Sequence, residues 1–118
     1  MRRDEALLLD MLIAARKTQR FTAGMTQADF NADEIVVSAA IRELQVVGEA
    51  ARMVTAETKA KHTEIAWPAI SGIRNRIIHE YFNVDYGIIW DTIQEDIPVL
   101  IEQLERIVPP DQPDGSNF

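Results

Sequence analysis

The last part of the chain carries its clearest structural signal, the stretch DYGIIWDTIQEDIPVLIEQLERIV at residues 85–108. Apolar residues recur there every three or four positions, which is the spacing of one face of an α-helix. This stripe consists of Ile89, Ile93, Ile97, Leu100, Leu104 and Ile107. Pro98 lies within it and lacks the amide hydrogen that would bond the carbonyl of Gln94, so we expect a kink. The pattern predicts a long helix with one face against a core.

The preceding sequence is also predicted to be mostly helical. Apolar residues at helical spacing, together with capping residues, predict helices at residues 4–20, 32–53, 55–62 and 67–81. Residues 21–31 predict a loop with room for one turn. Gly48 lies inside the second of these helices, where glycine costs about 1 kcal/mol relative to alanine. Its presence there, beside several alanines, indicates close packing against a neighbouring helix.

The order of these elements predicts the fold class. The sequence contains no run of strictly alternating polar and apolar residues, no Asn-Gly hairpin and no internal repeat. Long helices with short connections pack as antiparallel neighbours. We therefore predict an all-α fold, an antiparallel up-and-down bundle of four to five helices over residues 1–108. Residues 109–118 have too little apolar surface to fold and are expected to form a disordered tail.

Composition limits the function classes. The 118 residues are 47% hydrophobic and 26% charged, which suits one globular domain. The absence of cysteine excludes disulfides and thiolate metal sites, and it fits a cytoplasmic location. No apolar run is long enough for a transmembrane helix, and Asp4, Glu5 and Asp10 interrupt the stretch that resembles a signal peptide. We therefore expect no membrane association.

Net charge bears on the partner. The chain carries a formal charge of −7, whereas a dedicated nucleic-acid binder usually has a basic surplus. A local basic patch is still compatible with this balance. An acidic surface also suits docking to a basic partner protein.

The segment RNRIIHEY at residues 74–81 holds the polar residues of greatest interest. In a straight helix Arg74 and Tyr81 share one face, because they are two turns apart. Arg74 and His79 would instead diverge by about 140°. Either the helix loosens near His79, or a two-fold dimer places the residues of two chains around one cleft. We favour the dimer, because its symmetry brings two arginines and two histidines into one groove.

Arginine and histidine are suited to RNA strand cleavage. A base removes the proton of the 2′-hydroxyl, an acid protonates the leaving 5′-oxygen, and a cation stabilises the charge on phosphorus. Histidine serves as base or acid near neutral pH, and arginine binds phosphate oxygens. No metal is required, and no histidine–carboxylate cluster has metal-ligand spacing. Spacing alone favours another interpretation, in which Arg74 and His79 are cations that stabilise a helix C-terminus.

The stretch WPAISGIRNRIIHEYFNVDYGIIWDTIQEDIPVL at residues 67–100 resembles the core signature of the HepT family, within the HEPN group of helical ribonuclease and nucleotide-binding domains. The hallmark of that group is an Arg, four to six residues, and a His, here Arg74 and His79. Asn75 and Tyr81 match further positions of the HepT motif, and VVGEAAR at residues 46–52 resembles the family's second-helix segment.

This resemblance implies a function. Active HepT proteins are dimeric endoribonucleases that need no metal or other cofactor, with Arg74 and His79 as the expected catalytic residues here. Asn75 is expected to position phosphate or His79, and Arg76 is a further candidate for RNA contact. The proteins are toxins of a type VII-like toxin–antitoxin system, so the expected partners are RNA, a second copy or higher oligomer, and a small nucleotidyltransferase antitoxin. That antitoxin is expected to silence the ribonuclease by transferring AMP to Tyr81.

An alternative remains open. The same dimer is also compatible with a non-catalytic module that binds a nucleotide or acts as a scaffold for the nucleotidyltransferase. The acidic balance of the chain favours this alternative slightly. A plain helical dimer without a nucleotide role would require the motif to be a coincidence.

Overall fold

The computed structural model describes residues 2–79 and 83–109, and within them the chain is an all-α antiparallel bundle, as predicted. Its α-helices are α1 (Arg2–Thr22), α2 (Gln27–Asn31), α3 (Glu34–Met53), α4 (Ala56–Lys61), α5 (Trp67–Ser71), α6 (Ile73–Ile77), α7 (Tyr86–Asp91) and α8 (Ile97–Glu105). A π-helical turn, Thr92–Asp96, joins α7 to α8, and two short strands, β1 (Ile78–His79) and β2 (Asn83–Val84), follow α6. Among the described helices, none is both long enough and apolar enough to cross a membrane.

Helix α1 is the central element of the bundle. It packs most extensively against α3 and also contacts α8. Its first turn lies beside the end of α3, because Asp4 bonds Thr55, and beside residues 107–109 after α8. Helix α1 is therefore antiparallel to both α3 and α8, which is the predicted up-and-down arrangement. The core between the helices contains the predicted stripe, with Ile89, Ile93, Ile97, Leu100 and Leu104 buried and Ile107 partly buried.

Pro98 was expected to kink the last helix, and a π-helical turn directly precedes it. The amide of Ile97 bonds the carbonyl of Thr92, five residues back, in place of the usual four. The hydroxyl of Thr92 donates to the carbonyl of Ile88 at 2.7 Å, a contact that often bends a helix. The irregularity therefore takes the form of a widened turn over residues 92–96, and Pro98 lies in the first turn of α8, where it is tolerated.

The prediction of one helix over residues 67–81 is wrong. The helix is interrupted at Gly72 and ends at Ile77, because Ile78 has an extended backbone with φ −117° and ψ 111°. Strands β1 and β2 pair antiparallel, with Ile78 opposite Val84. The amide of Asp85 also bonds the carbonyl of Ile77 at 2.9 Å. These cross-strand bonds between distant residues satisfy backbone groups that the continued helix would otherwise have paired.

The predictions for residues 21–31 and for the tail have different outcomes. The loop predicted at residues 21–31 contains the short helix α2. A reciprocal capping box between Thr26 and Asp29 stabilises the start of this helix. Phe30 of this helix is fully buried and contacts Trp90, so the segment closes one end of the bundle. The disordered tail predicted for residues 109–118 lies outside the described residues, apart from Pro109.

Helices α3 and α5 approach one another closely at Gly48, as its position in the sequence predicted. A Cβ atom on this glycine would lie 3.1 Å from the backbone carbonyl oxygen of Ile70. Backbone atoms cannot rotate away as a flexible side chain can. The short distance between α3 and α5 therefore depends on the absence of a side chain at Gly48.

Asp4 joins α1 to the segment that follows α3. Its carboxylate is buried and accepts hydrogen bonds from the Thr55 hydroxyl at 2.6 Å, the Thr58 hydroxyl at 2.5 Å and the Thr55 amide at 3.2 Å. The Thr55 hydroxyl, followed by that of Thr58, lowers the pKa of Asp4 below its usual value. The ionised form of Asp4 therefore stabilises the fold.

We predict that Gly48→Ala lowers the free energy of unfolding by about 1 kcal/mol, because the new methyl group presses on the Ile70 carbonyl. At an exposed helical position the same change raises stability by about 1 kcal/mol. Gly87→Ala is the control, since a Cβ atom there meets only a side-chain oxygen of Asp85 at 3.4 Å. Urea denaturation measures both variants, and a more stable Gly48→Ala protein would contradict the close approach.

We predict that Asp4→Asn destabilises the protein by about 2 kcal/mol at pH 7, because the charged acceptor of three hydrogen bonds is lost. The pKa of Asp4 is lowered by folding, so its contribution is present above the unfolded pKa of about 3.9 and declines as pH falls through the lower folded value. The difference from wild type should therefore shrink in acid. Asp10→Asn, at an exposed position of α1, is the control. Equal losses for the two variants, or a loss independent of pH, would contradict this role.

Candidate active site

The two short helices α5 and α6 follow each other directly, and we call them the α5–α6 arm. A groove between α3 and this arm holds two of the residues predicted from the sequence. Its volume is about 510 Å³, and it is open to solvent. The residues that line it are Gln45, Gly48, Glu49, Arg52, Ser71, Arg74 and Asn75. We call it the Arg74 groove. Arg74 and Asn75 thus lie together, and both side chains are exposed.

Arg74 is available to bind an anion. Its guanidinium group makes no hydrogen bond or ion pair with any residue that the structure describes. An arginine in this state presents a planar, permanently charged set of donors that matches two oxygens of a phosphate. Asn75, the next residue, adds an amide donor and acceptor at the same groove.

Arg76 lies on a different side of the molecule. Residues two apart on a helix diverge by about 200°, so Arg74 and Arg76 project in nearly opposite directions. The Nη1 atom of Arg76 lies 3.6 Å from Oδ2 of Asp96 in the π-helical turn. Its Nε atom is buried and has no hydrogen-bond partner in the described part of the chain. The structure therefore separates Arg76 from the Arg74 groove.

His79 lies close to Arg74 along the backbone but not on the same helix. The amide of Ile78 bonds the carbonyl of Arg74, and His79 then pairs with Asn83 in the short strand. The angle of about 140° assumed a straight helix through His79, and that premise is wrong. The helix ends before His79. A loosened helix at this point was one of the two explanations that the sequence left open, and the dimer was the other. The side chain of His79 and the whole of Tyr81 lie outside the described residues.

A family model described as "Ribonuclease HepT-like" matches residues 11–107, which include the Arg74 groove and the RNRIIHEY segment. The chain belongs to the HepT-like ribonuclease family. This membership confirms the resemblance that the motif indicated, and the all-α bundle agrees with it.

Several relatives with RNase names support the same assignment. A protein of Caldanaerobacter subterraneus subsp. tengcongensis named "Putative RNase" is 40% identical over 85 residues, covering 72% of this chain and 76% of the relative. "Probable ribonuclease HepT" of Thermococcus cleftensis is 35% identical over 100 residues, covering 85% and 91%. A "Putative RNase" of Methanocaldococcus jannaschii is 32% identical over 103 residues, covering 87% and 94%. No solved structure matches the chain significantly.

Sequence reasoning did not assign the residues of α3 that line the Arg74 groove. Gln45, Glu49 and Arg52 follow one another at spacings of four and three residues, so they share a face of that helix with Gly48. That spacing was readable from the sequence. The partner surface of this face was not, because only the packed structure shows that α5 and α6 lie against it.

The groove contains few carboxylates. In the described residues, no group of three or more histidine, cysteine, aspartate or glutamate side chains could hold a metal ion. Glu49 is the acidic residue that lines the groove, and it is paired with Arg52. The arrangement therefore suits binding of an anion by arginine.

Proposed function

We propose that this chain is a toxin that cleaves RNA internally without a metal ion, with Arg74 and His79 as its catalytic residues. The observation that carries the proposal is the guanidinium of Arg74, which has no partner among the described residues. It lies in an open groove, and the backbone of His79 follows directly after the end of the same short helix, α6. Membership of the HepT-like ribonuclease family supports RNA as the substrate.

The proposed reaction is an intramolecular displacement at phosphorus. A histidine removes the proton of a 2′-hydroxyl, and the 2′-oxygen bonds to the adjacent phosphorus. The bond from phosphorus to the 5′-oxygen breaks, and that oxygen takes a proton from an acid. The products are a 2′,3′-cyclic phosphate and a free 5′-hydroxyl. Arg74 stabilises the additional negative charge on the phosphate oxygens in the transition state, and Asn75 orients the phosphate or His79.

A homodimer would supply both proton-transfer groups. One His79 can act as base while the copy in the second protomer acts as acid, provided that a two-fold axis passes beside the groove. We retain the dimer, or a higher oligomer built from it, as part of the proposal on this chemical ground. Any RNA contact by Arg76 would lie in a separate groove beside Asp96, away from the bond that is cleaved.

We further propose that a nucleotidyltransferase antitoxin controls the activity. The phenolic oxygen of Tyr81 attacks the α-phosphorus of ATP, AMP is transferred, and pyrophosphate leaves. Tyr81 is two residues from His79 in the sequence, so the added phosphodiester places bulk and negative charge near the catalytic residues. It would compete with the RNA phosphate for Arg74. The formal charge of −7 favours a basic surface on the antitoxin.

We predict that Arg74→Ala and His79→Ala each reduce RNA cleavage at least about 100-fold and relieve growth arrest on expression. Excess EDTA should leave wild-type cleavage unchanged. The free energy of unfolding of Arg74→Ala should stay within about 0.5 kcal/mol of the wild-type value, because the side chain is exposed and bonds no other described residue. Arg106→Ala, which removes an exposed arginine outside the groove, is the control for loss of one positive charge.

Two results would overturn this assignment. Purified wild-type protein that leaves RNA intact while binding a nucleotidyltransferase would instead support the scaffold function. Cleavage by Arg74→Ala at the wild-type rate would remove Arg74 from the mechanism.

We predict that the antitoxin and ATP convert the active protein to an inactive form that carries AMP on Tyr81. Mass spectrometry locates the modification, and RNA cleavage is measured on the same sample. Tyr81→Phe should accept no AMP at this site and should stay active in the presence of antitoxin and ATP. Full cleavage by protein with one AMP on every Tyr81 would contradict the proposed silencing.

A further inference from the structure

We propose that the Arg74 groove is the path of a single RNA strand, that Arg52 binds a second phosphate of that strand, and that Glu49 holds Arg52 until RNA replaces it. This proposal rests on the ribonuclease function proposed above and extends the binding site from the α5–α6 arm onto α3. Its starting observation is that two arginines from different helices line one groove.

The packing of the helices brings the two arginines to the same groove. Arg52 lies near the end of α3, and Arg74 lies in α6. Helix α3 meets α5, which directly precedes α6, at Gly48. A Cβ atom there would lie 3.1 and 3.7 Å from the carbonyl oxygens of Ile70 and Ser71 in α5. This close contact lets side chains on either side of Gly48 reach the opposite wall, so the groove has cations on both walls.

The ion pair of Arg52 is one that a phosphate can replace. The Nη2 atom of Arg52 lies 2.9 Å from Oε1 and 2.5 Å from Oε2 of Glu49. The two side chains are 69% and 53% exposed. Exposed pairs of this kind contribute little to stability, because water screens both charges. An RNA phosphodiester carries two charged oxygens and one negative charge, as a carboxylate does, so a strand in the groove can replace Glu49 at Arg52.

Because the whole chain is acidic, binding of RNA depends on the two arginines of the groove. A formal charge of −7 repels a polyanion at long range. Within the groove, Arg52 and Arg74 outnumber Glu49, which leaves a local positive surplus. Without RNA, Glu49 neutralises part of that surplus. The pair therefore lowers non-specific affinity for nucleic acid while keeping a second phosphate site ready.

The polar walls suit a single strand. Gln45, Ser71 and Asn75 line the groove between and beside the arginines and offer both donors and acceptors. Unpaired bases expose hydrogen-bonding edges that such groups can contact, whereas base pairing occupies those edges in a duplex. Two phosphate contacts on either side of these groups would fix the register of the strand relative to the bond beside Arg74.

Binding of an uncleavable RNA tests the proposal separately from cleavage. The probe is a fluorescent single-stranded 2′-O-methyl RNA of about twelve nucleotides, which lacks the attacking hydroxyl. Fluorescence anisotropy is measured for the full-length protein at several salt concentrations. We expect Arg52→Gln to weaken binding about 5- to 10-fold at low salt and to reduce the slope of log affinity against log salt by about 0.7. Glu49→Gln should strengthen binding several-fold.

Matched variants outside the groove control for charge and for loss of an ion pair. Arg106→Gln removes an exposed arginine that is paired with the exposed Glu102 at 3.5 Å outside the groove. Glu34→Gln removes an exposed carboxylate from α3. Both should change affinity less than 2-fold, since the loss of a remote exposed charge is largely screened at moderate salt.

The sign of the Glu49 effect is decisive. Equal weakening by Arg52→Gln and Glu49→Gln would mean that the pair acts only on structure, and it would overturn the proposal. So would an Arg52→Gln protein that binds like Arg106→Gln, even if wild type cleaves ordinary RNA. Opposite effects of the two groove variants with no cleavage of ordinary RNA would support the binding path and reject the ribonuclease function.

Discussion

The close contact between α3 and α5 at Gly48 determines the geometry of the candidate site. A Cβ atom at this position would lie 3.1 Å from a backbone oxygen, so any side chain would move one helix away from the other. Such a movement would widen the groove in which Arg52 and Arg74 lie on opposite walls. The glycine weakens the helix locally, and the packing that it permits creates a site that neither helix has alone.

The end of α6 determines which polar side chains can act together. A continuous helix would have carried Arg74, Arg76 and His79 to three different directions. The chain instead leaves the helix at Ile78 and pairs with the segment before α7. This places the backbone of His79 immediately after the last turn of α6 while Arg76 stays with Asp96. The two arginines therefore have separate surroundings, one open to an anion and the other already beside a carboxylate.

The acidic balance of the chain and its proposed substrate are compatible for a local reason. The groove gathers cations from two helices, whereas most acidic side chains lie elsewhere. Short-range contacts to phosphate decide binding once the strand has entered, and screening weakens the repulsion from distant carboxylates.

Sequence alone determined the helical class, the up-and-down order, the buried stripe of the last helix, the tight packing at Gly48 and the HepT-like family. These features depend on periodicity, on single-residue preferences and on a motif, all of which are local properties of the chain. The end of α6 at Ile77 was not predictable in this way, since the bonds that replace the continued helix join residues 77–78 to residues 84–85. Tertiary structure also decided that Arg52 and Glu49 face Arg74. Their helix presents several polar faces, and only the packing of α5 and α6 against one of them turned that face into a wall of the groove.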